Sequence, residues 1–297
     1  MKKMWCGVVV GLAGGLLLAV GGRPLEAQHP VEHTEWTLSP LRTHDQPVLP
    51  IFEGWYQNAD GTYDLCFGYY NLNTAQVLDV SLGPDNFIEP SRYDGGQPTH
   101  FALSQLPNVM RSWCVFTVNV PEDIGTERVV WTLRANGHEF SIPGHIGSPH
   151  YIVDEPEAPS RDRYAPLLRF EPDGLQGRGR NGFTAGSLSV AVGRPLTLEI
   201  SVTDVAGSPE RAGVRWVKHS GPGEVTFSER LIDVGVEEEG ADVEAEEDDH
   251  DGRVTTTATF DEPGSYLLLV QAVDNALRDF EFHCCWTNGF VEVVVTP

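Results

Sequence analysis

Basic charge is scarce in this chain. Against 43 acidic side chains it carries 20 lysines and arginines, a formal net charge of -23. Phosphate backbones and anionic membrane surfaces are poor partners for such a balance, so nucleic-acid binding is not expected. Beyond Ala27 the only lysine is Lys218. No stretch sustains a 3.6-residue apolar period over three turns, which argues against helical architecture. Serine-hydrolase chemistry lacks its G-x-S-x-G elbow, and an EF-hand order of ligands is missing too. Apolar runs long enough to span a bilayer do not follow the N-terminus, so no integral membrane segment is expected in the mature chain.

The N-terminus has a different character. Lys2 and Lys3 precede an apolar run from Met4 to Val20, interrupted by Gly7, Gly11, Gly14 and Gly15. At about 17 residues it falls short of a comfortable membrane span. A charged start, a short apolar middle and small residues beyond it read as a secretory signal over residues 1–27, cut after Ala27 or, alternatively, near Gly22. The mature chain would then be periplasmic or extracellular. Four cysteines remain after such a cut: Cys66, Cys114, Cys284 and Cys285. An even number in an exported chain points to disulfides. Cys66 and Cys114 lie in strand-like runs of the same half, DLCFGYY and SWCVFTVNV, and are the expected pair. Cys284 and Cys285 are then a vicinal pair, bonded against strain or left with a buried thiol, because adjacent strand residues point to opposite faces.

Residues 28–46 carry no periodicity and read as an extended arm. From 47 to 153 short β-rich runs alternate with turn signals; Asn136-Gly137 between VVWTLRA and HEFSI is the strongest hairpin signal. Residues 154–164 read as a linker, with a second flexible piece at 174–182. Strand runs resume over 165–297 (LSVAV, LTLEISVTD, VRWVKH, EVTFS, TTTATF, SYLLLVQAVD, EFHCCWT, FVEVVV) at the spacing of an antiparallel sandwich. The expectation is an all-β protein of two β-sandwich domains. Residues 237–251 (EEEGADVEAEEDDHD) interrupt the second with ten acids, a solvated loop between strands that could at most collect calcium.

The second half resembles the PKD-like, immunoglobulin-type repeats of bacterial exported proteins. The resemblance rests on Val214-Arg-Trp-Val-Lys-His-Ser-Gly-Pro-Gly-Glu-Val-Thr-Phe followed by Thr255-Thr-Thr-Ala-Thr-Phe-Asp-Glu-Pro-Gly-Ser-Tyr-Leu. In that setting Trp216 would fill the inter-sheet core, and Gly221-Pro222-Gly223 and Pro263-Gly264 would make tight connections. The acidic insertion and the His283-Cys284-Cys285-Trp286 stretch depart from the pattern. The first half is similar to a functionally uncharacterised family of bacterial exported proteins, through Phe52-Glu-Gly-Trp-Tyr, Phe67-Gly-Tyr-Tyr-Asn, Gly96-Gln-Pro-Thr-His-Phe and Val130-Trp-Thr-Leu-Arg-Ala-Asn-Gly. That resemblance implies architecture and compartment, and no reaction.

Candidate site residues are few. His138, His145 and His150, with His283, are the candidate metal ligands, although their spacing is not that of a helical or tight zinc pair. Asp60, Asp64 and Asp79 read as turn and strand-edge residues rather than a glycosidase pair. Trp55, Tyr56, Tyr69 and Tyr70, with Tyr63, cluster near the start of the first domain. Such aromatics either pack a sandwich core or form a platform for a sugar; adjacent pairs must send one ring to each face of a strand. The reading is therefore a non-catalytic exported module binding a protein or a carbohydrate, with no cofactor. The alternative is an enzyme or metal-binding protein whose site lies between the domains and uses the histidines.

Overall fold

The computed structural model describes residues 43–103, 111–153, 165–171, 174–203, 212–234, 252–273 and 286–297. The signal segment, the linker at 154–164, the acidic run 237–251 and His283, Cys284 and Cys285 lie outside the described residues, as does most of the arm. The architecture is all-β, and residues 41–297 form one compact unit. No helix among the described residues is long and apolar enough to cross a membrane.

The first half contains β1 (Val48–Gln57), β2 (Tyr63–Asn71), β3 (Leu78–Asp79), β4 (Asn86–Glu89), β5 (His100–Phe101), β6 (Arg111–Val120), β7 (Val129–Ala135) and β8 (His138–Gly144). They form two three-stranded sheets, β1-β2-β6 and β4-β7-β8, with a small β3-β5 pair. Alternate residues of the two larger sheets meet in an aromatic core. Phe67 stacks on Phe116 with centroids 5.4 Å apart, and Trp131 stands edge-on to Phe116 at 5.1 Å. The Trp131 indole N–H donates to the Asn86 side-chain oxygen at 3.0 Å, so the ring is buried without an orphaned donor. The Asn136-Gly137 turn joins β7 to β8 with positive φ at both residues, 50° and 74°, as a two-residue hairpin of this hand demands.

The second half contains β9 (Leu167–Phe170), β10 (Gln176–Gly177), β11 (Phe183–Ala191), β12 (Leu196–Thr203), β13 (Ala212–Ser220), β14 (Val225–Phe227), β15 (Leu231–Val234), β16 (Arg253–Phe260), β17 (Gly264–Val273) and β18 (Trp286–Thr296). Two five-stranded sheets, β10-β9-β12-β16-β14 and β11-β18-β17-β13-β15, face each other. Trp216 is wholly buried between them among Leu168, Ile200, Phe227, Leu268 and Val293. The Gly-Pro-Gly turn closes against Tyr266. A Cβ on Gly221 would sit 2.2 Å from the Tyr266 ring, and the Gly223 N–H donates to the Tyr266 hydroxyl at 3.0 Å.

Two sequence expectations need correction. The runs EFHCCWT and FVEVVV read as separate strands, yet β18 continues unbroken from Trp286 through Asn288-Gly289 to Thr296. A Cβ at Gly289 would lie 2.5 Å from Leu168, so the glycine serves close packing rather than a turn. Residues 174–182, expected to be flexible, pair in part as β10 and carry a buried Arg180.

Cys66 and Cys114 form a disulfide across neighbouring strands β2 and β6, with Cα atoms 5.2 Å apart. Cys114 has φ 38° and lies where the β2–β6 register slips, so the bridge pins a bulge.

Candidate functional site

Among the described residues, a group of buried polar side chains lies at a seam between the halves. One face of β13, β17 and β18 packs into the second core. The opposite face, with Arg215, Leu269, Gln271, Asn288 and Phe290, meets the first half. Leu269 belongs to the first half's hydrophobic core, and Phe290 packs against it. Around these apolar contacts the side chains of the second half bind the bulged stretch of β6. Arg215 Nη2 donates to Ser112 Oγ at 3.0 Å, Gln271 Nε2 to the Trp113 carbonyl at 3.1 Å, and Asn288 Nδ2 to the Cys114 carbonyl at 2.8 Å. Asn288 also donates to the Arg180 carbonyl at 2.7 Å and accepts from Gln271 at 3.0 Å. The bulge held by the disulfide thus turns three successive residues of β6 toward the second half. Burial pushes the Arg215 guanidinium below its ordinary value.

On the first half's side of the seam, Glu53 pairs with Arg111. Burial raises the Glu53 carboxyl above its ordinary value, against the pull of Arg111. Arg111 lies over the Trp113 ring at 3.5 Å. Gly68 makes room for the pair: a Cβ there would meet Glu53 Oε1 at 2.3 Å and the Ser112 carbonyl at 2.4 Å.

At one end the seam holds a titratable cluster. Lys218, with 2% of its side chain exposed, donates to Asp79 Oδ1 at 2.9 Å and to the Gly223 carbonyl at 2.7 Å. His100 Nδ1 lies 2.9 Å from the same Asp79 oxygen. Partial burial alone would raise the Asp79 carboxyl, but the bonds from His100 and Lys218 hold it below its usual range. His219 donates from Nε2 to the Gly96 carbonyl at 3.2 Å, and its Nδ1 has no hydrogen-bond partner among the described residues. Burial lowers its pKa to about 4, so the ring is neutral. Asp79 also opens onto a cleft of about 450 Å³ bounded by Ser81, Leu82, Asp85, Arg134 and Asn136. Arg134 is tied to Glu139 and to the Pro84 carbonyl, and the Asn136 amide donates to the Gln46 carbonyl. Arg134 and Asn136 are therefore held in place, and Asp79 and Asp85 put carboxylates on the lining.

The residues singled out from sequence are placed as follows. Tyr56 and Tyr69 are each 1% exposed and take no part in a surface platform. The Tyr56 hydroxyl accepts from the Asn181 N–H at 3.0 Å across the seam; burial and the neighbouring Asp64 carboxylate push this phenol upward. Tyr69 accepts from the Ala102 N–H at 3.1 Å. Trp55 is half-buried, donates to the Ser148 carbonyl and stands edge-on to Tyr63, while Tyr70 is half-buried beside Arg111. The four aromatics do not share one exposed face. Asp60 does cap a turn, accepting from the Thr62 N–H at 3.0 Å. Asp64 is not an edge residue but is buried, accepting from Asn119 at 2.8 Å. His138 stacks near Phe140, His145 stacks on Phe52, and His150 lies in a short 3-10 turn. Among the described residues no three His, Cys, Asp or Glu side chains converge as a metal site would require. The histidines at the seam are instead His100 and His219. Neither was singled out from sequence, and only the lack of alternation in VRWVKH hinted that this strand is covered on both faces.

No protein-family model matches the chain, and no curated protein matches it. Among solved structures it is similar to the D00-D0 domain of intimin, at 12% identity over 84% of this chain and 100% of that one, with a TM-score of 0.26. It is also similar to domains 4 and 5 of the S-layer protein SbsC, at 11% identity over 58% and 66% of the two chains, TM-score 0.26. A third is WR4, a C. elegans MSP family member, at 10% identity over 37% and 92%, TM-score 0.25. Likeness this distant carries no inference about function.

Proposed function

We propose that the chain is an exported, non-catalytic binding or structural module of the bacterial cell envelope, whose ligand is a protein or a carbohydrate. The observation that carries this reading is the seam. Its buried polar side chains bond mainly to backbone carbonyls and to one another, which joins two sandwiches into a single block rather than lining an enclosed reaction chamber. A rigid block of fixed shape suits a module that presents a surface, since ordering costs are met on folding rather than on binding. The charged start and apolar run at residues 1–20, the Cys66–Cys114 bridge and the PKD-like signature support export. The cleft beside Asp79, with the carboxylates of Asp79 and Asp85 on its lining, is the place for a donor-rich ligand such as a sugar hydroxyl pair or a basic side chain.

The test combines three measurements on protein expressed in a bacterial host. Fractionation with N-terminal sequencing is expected to place it outside the cytoplasm, starting near residue 28. Non-reducing peptide mapping should recover Cys66 joined to Cys114. A broad hydrolase screen with metal analysis should show neither turnover nor stoichiometric metal. Turnover accompanied by bound zinc or copper would replace the module reading with an enzyme.

A further inference from the structure

Cations are few in this chain and acids many, so a cation without an acid is the exception. Inside the fold Lys218 pairs with Asp79 and Arg111 with Glu53. Even Arg92 and Arg253, at the surface where water would solvate them, hold Glu127 and Glu199. Arg215 and Arg230 break the pattern. Arg215, 9% exposed on β13, reaches a neutral partner, the Ser112 hydroxyl across the seam at 3.0 Å. Its Nε is buried without a hydrogen-bond partner, and so is the Nε of half-buried Arg230. Neither forms an ion pair among the described residues. Exposed Glu224 acts on Arg230 only through space.

The two guanidiniums are neighbours. Leu231 lies opposite Arg215 in the β13–β15 pairing, and the Arg230 carbonyl accepts from the Trp216 N–H at 2.9 Å. Both lie in the field of the Tyr69 hydroxyl, and Ser112 is the partner of Tyr69 across β2 and β6. Burial pushes each guanidinium below its ordinary value, and the Arg230 charge adds to the effect on Arg215. Arginine stays protonated in proteins, so the two positive charges persist side by side. A water molecule would satisfy an N–H and leave the charge uncompensated, which is the costly part of burial.

With 43 acidic side chains to draw on, the chain sets none against this pair among the described residues, so the counter-charge comes from outside. We propose that Arg215, Arg230, Ser112 and Tyr69 form an anion site that takes a small oxyanion, a sulfate or a carboxylate group. All four offer donors. The Tyr69 hydroxyl accepts from the Ala102 N–H and the Ser112 hydroxyl from Arg215, which leaves both hydroxyl protons to give. Guanidinium forks match the paired oxygens of sulfate and carboxylate alike. Burial sets the size: Tyr69 is 1% exposed and Arg215 9%, so a small group reaches them, beside the half-buried Arg230. The net charge of -23 repels anions at long range, but at 0.15 M salt that field is screened beyond about 8 Å, whereas the guanidiniums act at contact.

Calorimetric titration of sulfate, and separately of acetate, into the mature, oxidised protein in chloride buffer at constant ionic strength tests this. The wild type is expected to show one saturable site per chain. Arg230→Gln removes one fork at the half-buried position and should weaken sulfate by about tenfold or more. Arg230→Lys keeps the charge without the fork and should weaken it less; it carries the test if Arg230→Gln fails a circular dichroism check of folding. Arg253→Gln, in the surface pair with Glu199, should leave the affinity unchanged. At ten times its Kd sulfate should raise the wild-type Tm by roughly 3 °C beyond its effect on Arg230→Gln, because its general exclusion from protein surfaces acts on both alike. Sulfate binding tighter than acetate identifies a free oxyanion as the occupant, and the reverse order a carboxylate carried by a larger ligand; either upholds the site. Lack of saturable binding of both anions overturns the proposal. So does binding that the folded Arg230 variants retain in full, or that Arg253→Gln abolishes.

Discussion

The two five-stranded sheets of the second half are built from similar residues and bury them differently. Along β16 the pattern alternates: Val254, Thr256, Ala258 and Phe260 face inward, and Arg253 and Thr255 face solvent. Along β13 every residue from Ala212 to His219 is buried, and β17 is buried without interruption from Leu268 to Val273. Alternation marks a sheet with one wet face; its loss marks a sheet covered on both. The second cover is the first half of the molecule, docked through a polar as well as an apolar seam. An outward-facing position thus has opposite meaning on the two sheets, and that difference can be measured.

The largest expected effect comes from the disulfide that shapes the docked surface. Replacing Cys66 and Cys114 together with alanine should lower stability by about 4 kcal/mol, the chain-entropy value for a loop of 48 residues. Because the bulge at Cys114 aims three residues at Arg215, Gln271 and Asn288, hydrogen exchange should also quicken on the seam side of β17 and β18. Denaturant titration of oxidised variant and wild type, with exchange on each, checks both. A loss confined to β2 and β6 would separate the bridge from the seam.

Acid should open the seam next. Neutral and buried in the fold, His219 has a pKa of about 4 against an ordinary 6.5. Its folded value is depressed, so the unfolded chain binds the extra proton first. Its contribution is complete above about pH 6.5 and is lost as pH falls toward 4, by roughly 3 kcal/mol at ~1.4 kcal/mol per pKa unit. His219→Gln keeps a donor for Gly96 without titrating and should flatten stability across that window. Below it Asp79, held low by His100 and Lys218, begins to titrate and removes the ion pair as well. Urea midpoints from pH 7 to 4 decide; equal slopes for variant and wild type would remove His219 as the cause.

Smaller effects contrast the two outward faces directly. Asn288→Ala strips donors from the Cys114 and Arg180 carbonyls inside the seam and should cost about 2 kcal/mol. Thr255→Ala, on the solvated face of β16, should change stability by less than about 0.5 kcal/mol. Comparable costs for the two would mean that the seam is wet.

Much of this arrangement was legible in sequence. The Asn136-Gly137 hairpin follows from local turn chemistry, Trp216 with its Gly-Pro-Gly turn is implied by the PKD-like resemblance, and Cys66–Cys114 is the favoured one of the three pairings that four cysteines allow. The seam was not. The order of residues in SYLLLVQAVD signals double burial, but nothing in it names the partner surface, since Gln271 and Trp113, like Asn288 and Cys114, are distant in sequence and meet only through topology. The aromatic cluster stayed open between core packing and a platform for a related reason. Tyr56 and Tyr69 carry hydroxyls that suit an exposed platform, yet each has a backbone N–H donor inside the fold, which removes the cost of burial. Buried polar groups are easy to count in a sequence and hard to pair.

The central claim is that the seam makes the two halves one cooperative body. Differential scanning calorimetry of the mature, oxidised protein at pH 7 tests it most directly. The account predicts a single transition whose calorimetric and van't Hoff enthalpies agree. Two resolved transitions, one for each half, would contradict it.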